Sequence, residues 1–205
     1  MDSYITVLKH SSFEYEDRKS IFIGEALPCK TEDEALKFIE NVKKRYPDAK
    51  HHVYAYVLRE NSIMRFSDDR EPQGTAGMPV LDSIRKRGCT DTVVVVTRYF
   101  GGTLLGTGGL VKAYTTAAVG AIESAEIIKY DLYSEIVVEA GYSDFQKLAP
   151  IFDELSFRVD STMYTDKVEI NGRISSKDRD ILKEKIATAT SARAKLEIIS
   201  EKFDF

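Results

Sequence analysis

A glycine-dense stretch at residues 67–118 holds most of the chain's twelve glycines around one continuous apolar run. Five glycines at positions 101–109 follow the four-valine run at 93–96 and precede a helix predicted over residues 110–125. A buried strand, a permissive loop and a helix start therefore occur in that order. This order leaves free backbone N–H groups where an anion would bind.

Known nucleotide-binding patterns do not fit this loop. The P-loop pattern requires Lys where Thr107 stands, and the dinucleotide pattern requires a third glycine where Val111 stands. Another kind of phosphate cradle remains open, with Arg98 and Lys112 supplying positive charge, and so does the alternative that the glycines let the helix pack closely on a sheet. The candidate ligand-binding or phosphate-binding residues are Arg98, Gly101, Gly102, Gly106, Thr107, Gly108, Gly109 and Lys112.

A polar loop at residues 67–75 precedes this stretch and carries three carboxylates in four positions, Asp68, Asp69 and Glu71. Such a cluster can bind Mg²⁺ or act as acid and base, but Asp also commonly caps helices and holds turns. Both interpretations stay open, the structural or binding loop being favoured over the catalytic one. The loop residues singled out are Asp68, Asp69, Glu71, Pro72, Gly74 and Thr75.

Aromatic and basic residues outside the loops suggest contact with RNA. Exposed aromatic rings stack on unpaired bases, although aromatics in strands usually belong to the core. We predict that Tyr99 is partly exposed and Phe100 buried, and that the basic trio at 85–87 lies at a helix end, where it either complements the helix dipole or contacts phosphate. The candidate RNA contacts are His51, Tyr54, Arg85, Lys86, Arg87 and Tyr99.

Charge and composition limit the function classes. The formal net charge is −4, residues 1–130 are electrically neutral, and residues 131–205 carry the whole excess. This is not the basic body of a tight, sequence-independent nucleic-acid binder, so a phosphate contact must come from a local patch. Two distant cysteines and three histidines predict neither a metal site nor a cofactor. The absence of a signal-like or membrane-spanning apolar segment predicts a soluble, cytoplasmic protein.

Hydrophobic periodicity predicts an α+β chain of two domains, residues 1–130 and 131–205. The first begins with strands, a turn at Arg18 and Lys19, and a helix that starts at the capping box 31–34. The second follows the order β-α-β-β-α-β of a ferredoxin-like domain. Its first helix is predicted over 144–155 with a capping box at Ser143 and Gln146. Pro150 conflicts with this prediction, and the alternative is a helix that kinks at the proline or is shorter.

Several separated motifs resemble the signature of the YigZ/IMPACT family. They are SDDREPQGTAG at 67–77, VVVVTRYFGG at 93–102 and LLGTGGLVKAY at 104–114, and His51 with residues 54–56 is similar to the family's histidine-containing strand. The resemblance covers the whole chain, since bacterial members carry a second, smaller domain. Arg70 is a departure, because the family usually has glycine at this position.

The resemblance implies an N-terminal domain similar to domain IV of elongation factor G, a ribosomal-protein-like α+β fold, and a ferredoxin-like domain similar to its domain V. It also implies a non-catalytic binding protein with a role in translation regulation, whose partner is RNA, the ribosome or a translation-control protein. An alternative is an enzyme that acts on a small phosphorylated substrate with Mg²⁺ held by Asp68, Asp69 and Glu71. The oligomeric state stays open.

Overall fold

The structure is a computed structural model that describes residues 2–205. The chain forms two compact units: the first is Tyr4–Lys129, and the second is Tyr130–Phe205 together with residues 2 and 3. The strands are β1 (Ser3–Val7), β2 (Ser11–Asp17), β3 (Ser20–Pro28), β4 (His51–Val57), β5 (Met64–Ser67), β6 (Thr92–Tyr99), β7 (Ile127–Ala140), β8 (Arg158–Tyr164), β9 (Val168–Ser175) and β10 (Lys195–Asp204). The helices are α1 (Glu32–Arg45), α2 (Gly77–Lys86), α3 (Gly106–Ser124), α4 (Tyr142–Phe145), α5 (Ala149–Glu154) and α6 (Arg179–Thr190). Within residues 2–205, no helix is both long and apolar enough to cross a membrane.

The first unit is built on a five-stranded sheet in the order β2-β3-β6-β4-β5, and every neighbouring pair is antiparallel. Its central strand β6 is covered on both faces: Val94 and Val96 belong to the core with α2 and α3, whereas Val93 and Val95 belong to the core with α1. All four valines are 0% exposed. The prediction of a buried strand before the glycine loop is therefore confirmed.

Helix α3 packs unusually closely on this sheet. A Cβ added at Gly24 of β3 would lie 2.3 Å from the carbonyl oxygen of Ala117 in α3. Ala113, Ala117 and Ala121 of the same helix are fully buried. The small residues of α3 thus allow its backbone to approach the strand, as the packing alternative predicted for this helix.

Local sequence signals in the first unit are largely confirmed. Thr31 accepts a hydrogen bond from the Glu34 backbone N–H while the Glu34 side chain accepts one from the Thr31 backbone N–H, which completes the capping box of α1. Arg18 and Lys19 form the turn between β2 and β3 with φ of 47° and 64°. Strand β2 has no counterpart among the predicted elements, since its polar residues alternate with half-buried ones and give no apolar run.

The second unit has the strand order β10-β7-β9-β8, all antiparallel, with helices between β7 and β8 and between β9 and β10. This is the ferredoxin-like arrangement. Alternate residues of β7 and β9 pack against α5 and α6, and the core of the unit includes Ile136, Val138, Ile170, Ile174, Phe152, Leu182 and Ile186. The predicted fold class is confirmed.

The single helix predicted over 144–155 is wrong. The segment forms two short helices, α4 and α5, and Pro150 lies in the first turn of α5, where a missing N–H costs nothing. Gly141 precedes α4, so the capping box at Ser143 and Gln146 is wrong as well. The break leaves Asp144 buried, where it accepts hydrogen bonds from Arg193 and Lys147, and these cations hold the pKa of its carboxyl far below its usual range.

Candidate functional site

Asp68 in the polar loop caps helix α2. Its Oδ1 accepts hydrogen bonds from the backbone N–H groups of Gly77 at 2.7 Å and Ala76 at 3.1 Å, and its Oδ2 accepts one from Gly74 at 2.9 Å. Helix N-termini carry unsatisfied donors and partial positive charge, so a carboxylate at this point satisfies both. The Asp68 carboxylate therefore supplies, from within the chain, both the hydrogen-bond acceptors and the negative charge that stabilise the N-terminus of α2.

The next two residues form a turn in the left-handed region, with φ of 40° at Asp69 and 70° at Arg70. The turn brings Asp69 onto strand β4: its Oδ2 accepts the His52 backbone N–H at 2.6 Å and its carbonyl oxygen lies 2.9 Å from His51 Nδ1. Because a carbonyl oxygen only accepts, Nδ1 of His51 is the donor and Nε2 is turned toward Glu71, 4.0 Å from its Oε1. Arg70 stands in a conformation that glycine adopts without strain.

Glu71 is the centre of a buried polar network. Its Oε1 accepts a hydrogen bond from Arg98 Nη1 at 2.6 Å and another from the Tyr114 hydroxyl at 2.8 Å. Burial, followed by the negative charge of Glu71, raises the pKa of Tyr114 well above its usual range, so the hydroxyl stays a donor. Arg98 is 6% exposed. Arg98, a candidate phosphate-binding residue, is therefore buried in the sheet and paired with Glu71.

The Mg²⁺ alternative is also not supported by this geometry. Asp68 binds backbone N–H groups of α2, Asp69 binds the backbone of β4, and Glu71 binds Arg98 and Tyr114. The three carboxylates are directed to three different sets of donors. Across residues 2–205, no group of three His, Cys, Asp or Glu side chains is placed to hold a metal ion.

The glycine loop ends at the first turn of α3, and this turn is open to solvent. Gly106, Thr107 and Gly108 are exposed, and no side chain of residues 2–205 caps the helix by a hydrogen bond. Gly106 has φ of 73°, which explains a glycine at that position. Gly108 has no such reason: its φ is not positive, and no heavy atom of the described residues lies within 4 Å of an added Cβ. A glycine at such an exposed helical position allows a ligand to approach the helix backbone closely.

Three basic residues lie on or next to the segments that form the loop and this turn. Arg18 Nη1 donates to the carbonyl oxygen of Leu104 at 3.5 Å, and Gly101 touches the backbone of Lys19, since an added Cβ would lie 2.1 Å from the Lys19 carbonyl carbon. Lys112 is exposed in the second turn of α3. Among the residues described, no carboxylate pairs with any of these three cations. Arg18 and Lys19 were not predicted as site residues, because sequence alone does not show that their turn contacts a loop about 80 positions later.

Phe100 lies at the start of the loop and is 51% exposed, so its predicted burial is wrong. Strand β6 ends at Tyr99, and the chain leaves the sheet before the Phe100 ring reaches the core. The ring lies 5.6 Å from the Arg98 guanidinium. We call the exposed set the glycine-loop surface and define it as Arg18, Lys19, Phe100, Lys112 and the α3 turn 106–109.

Other predicted site residues lie elsewhere in the unit. Tyr54 stacks on Tyr56, and Tyr99, which is partly exposed as predicted, donates to Asp48. Both belong to the sheet face covered by α1, opposite to His51 and Arg98. The basic trio 85–87 ends α2 near the far end of α3, where Arg87 pairs with Glu123. Since α3 has 19 residues, this end is roughly 28 Å from the glycine loop at 1.5 Å per residue.

Comparison with known proteins adds a family assignment for most of the chain. The profile described as the Impact N-terminal domain matches residues 18–122. IMPACT family member YvyE of Bacillus subtilis (strain 168) is 34% identical over 195 residues, which cover 95% of this chain and 90% of that protein. IMPACT family member YigZ of Escherichia coli (strain K12) is 31% identical over 167 residues, 80% of this chain and 82% of that protein.

A solved structure is similar over nearly the whole chain. It is described as the crystal structure of a hypothetical protein, is 28% identical in sequence, and superposes with a TM-score of 0.62 over 98% of both chains. The similarity spans both units, which supports the two-domain α+β architecture.

Proposed function

This chain belongs to the IMPACT family, and on that premise we propose that it is a non-catalytic binding protein with a role in translation regulation, which binds RNA or the ribosome through the glycine-loop surface. The observation that carries the proposal is the exposed first turn of α3, which no side chain of residues 2–205 caps, beside three cations that no described carboxylate neutralises. In this proposal, the phosphate groups of the partner bind the N–H groups and the cations of this surface.

Each part of the surface matches a feature of single-stranded RNA. The free N–H groups and partial positive charge of the α3 N-terminus suit a phosphate oxygen, and Gly108 lets the sugar-phosphate backbone come close. Arg18, Lys19 and Lys112 supply full charges around it. Phe100 offers an exposed ring on which a base can stack, a contact that contributes about 1 to 3 kcal/mol per base.

The proposed binding is local and depends on salt. Residues 1–130 carry no net charge, so long-range attraction to a polyanion is weak and the affinity comes from the few cations at the surface. Screening acts on such exposed charges over a Debye length of about 8 Å at physiological ionic strength. Binding should therefore fall steeply as salt is added.

The test is binding of purified protein to ribosomal subunits and to short single-stranded RNA across a salt series. The variant Arg18→Ala/Lys112→Ala removes two cations of the glycine-loop surface, and the matched control Arg85→Ala/Lys86→Ala removes two at the end of α2. The first variant should bind more weakly, and its slope of log K against log salt should be shallower by about 0.7 for each phosphate that the removed cations had neutralised. The control should bind as the wild type does.

Equal binding by the wild type and the Arg18→Ala/Lys112→Ala variant would refute the glycine-loop surface. Weakened binding only in the control would move the interface to the end of α2. If the wild type binds neither RNA nor subunits at low salt, the partner is a protein, and a pull-down from lysate that survives nuclease treatment is the next experiment.

A further inference from the structure

We propose that Arg98 binds a small oxyanion, a phosphoryl or carboxylate group, through the edge of its guanidinium formed by Nε and Nη2. This site does not depend on the glycine-loop surface as an RNA contact. Either one can be wrong while the other is right.

The starting observation is an incompletely bonded buried arginine. Arg98 Nη1 donates to Glu71 Oε1 at 2.6 Å, but the buried Nε has no hydrogen-bond partner in the described part of the chain, and no acceptor there binds Nη2. Buried polar groups are hydrogen-bonded in the great majority of cases, because desolvating a donor without an acceptor is unfavourable. A missing partner on a guanidinium therefore points to an acceptor from outside the chain.

The geometry of this edge selects the acceptor. The N–H bonds of Nε and Nη2 lie side by side in one plane, so two oxygens of one phosphoryl or carboxylate group accept both together. A single carbonyl oxygen satisfies only one of them. The Arg98 side chain is 7% exposed, which restricts the ligand to a small ion or to a terminal group of a larger molecule.

The edge is held in place before any ligand arrives. The Arg98 guanidinium lies 5.4 Å from the Phe22 ring and 5.6 Å from the Phe100 ring, and the Glu71 oxygen that binds Arg98 also accepts a hydrogen bond from the Tyr114 hydroxyl. The guanidinium thus loses little freedom on binding. Glu71 offsets the charge of Arg98, and Nε2 of the partly exposed His51 imidazole lies 4.0 Å from Glu71 Oε1.

The test follows the Nε–H resonance of Arg98 by ¹H–¹⁵N NMR of the full chain. Inorganic phosphate and acetate are titrated separately against sodium chloride at equal ionic strength. We expect phosphate, acetate or both to produce a saturable shift of the Nε–H resonance that exceeds the shift produced by chloride. An anion that does not bind should shift the resonance no more than chloride does. The two arms distinguish a phosphoryl ligand from a carboxylate ligand. A response to both anions no larger than the response to chloride overturns the proposal.

Two variants assign the signal and separate the sites. Arg98→Lys keeps a cation beside Glu71 but lacks the forked edge, so the resonance should disappear and the bound anion should no longer stabilise the protein against heat. If that variant does not fold, Phe100→Leu provides the assignment, since removing the exposed ring moves the Arg98 resonance without disturbing the core. The Lys112→Ala variant should keep the anion response. If a folded Lys112→Ala variant loses this response, the anion binds at the glycine loop and the Arg98 site is overturned.

Discussion

Helices α2 and α3 of the first unit begin in opposite ways. At α2, Asp68 accepts three backbone hydrogen bonds and places a full negative charge at the positive end of the helix. At α3, two exposed glycines flank Thr107, and no side chain of residues 2–205 caps the turn. Glycine and other small residues occur at the start of both helices, but only α2 has a carboxylate of the chain, Asp68, at its N-terminus.

The difference separates the stabilising use of a helix terminus from its binding use. An internal carboxylate satisfies the donors of α2 permanently, and it is part of the folded state. The donors of α3 are left to solvent or to a ligand, at a cost in helix stability that the long buried face of α3 offsets. Removing the anion from α2, or giving one to α3, therefore tests which helix start stabilises the fold and which one binds a ligand.

The largest effect is expected at the capped helix. Asp68→Ala removes the acceptor of three backbone N–H groups and should lower the free energy of unfolding by about 2 kcal/mol. Asp82→Ala on the exposed face of α2, whose carboxylate lies 3.4 Å from Arg85, should change it by less than about 0.5 kcal/mol. Urea denaturation of both variants measures this, and equal midpoints would show that Asp68 does not stabilise α2.

The second effect concerns the glycine that packing does not require. Gly108→Ala should raise the free energy of unfolding by as much as ~1 kcal/mol, because alanine favours the helix and the added Cβ meets no neighbour within the described chain. The same variant should bind RNA more weakly if a ligand approaches this backbone. Stabilisation with unchanged RNA affinity would remove Gly108 from the proposed interface.

A third variant gives α3 an internal anion. Thr107→Glu places a carboxylate in the exposed first turn and should stabilise the protein by about 0.5 kcal/mol through the helix dipole. It should also compete with a phosphate ligand and weaken RNA binding. Thr107→Gln has nearly the same shape without the charge, so weaker binding in both variants would indicate steric rather than electrostatic interference.

The smallest effect is expected in the turn after Asp68. Arg70→Gly relieves a left-handed conformation at φ 70°, but glycine adds entropy to the unfolded chain, and the variant cannot form the hydrogen bond from Arg70 Nη2 to the Lys50 carbonyl. The opposing effects should nearly cancel and leave the free energy of unfolding within about 0.3 kcal/mol of the wild type. Circular dichroism melts with the neighbouring Pro72→Ala variant as the control measure this.

Local signals in the sequence predicted much of the fold. The valine run at 93–96, the capping box at Thr31 and the element order of the second unit each depend on a few consecutive residues, and the structure confirms them. The split between α4 and α5 is also local in origin, since Pro150 cannot occupy a helix interior. Pro150 therefore indicated the break, whereas the capping box at Ser143 and the helix bounds 144–155 were wrong.

The candidate site was harder to predict because it depends on contacts between distant residues. Arg98 pairs with Glu71, 27 positions earlier, and Glu71 also accepts a hydrogen bond from Tyr114 beyond the loop. No local pattern shows that pairing. Arg18 reaches the glycine loop only because strand β3 pairs with β6. The motif residues lie together in the first unit, whereas the division between buried and exposed members required the tertiary structure.

The two neighbouring glycines at the start of the loop differ in which replacements they tolerate. Gly101 is closed to every side chain, since its missing Cβ would lie 2.1 Å from the carbonyl carbon of Lys19, and that backbone cannot rotate aside. Gly102 faces open space among the described residues, with φ of 86°, so Asn or Asp can take its place at modest strain. In a library that randomises both positions, selection for folding should fix the first glycine and leave the second variable, and selection for RNA binding should reveal any further constraint on the second.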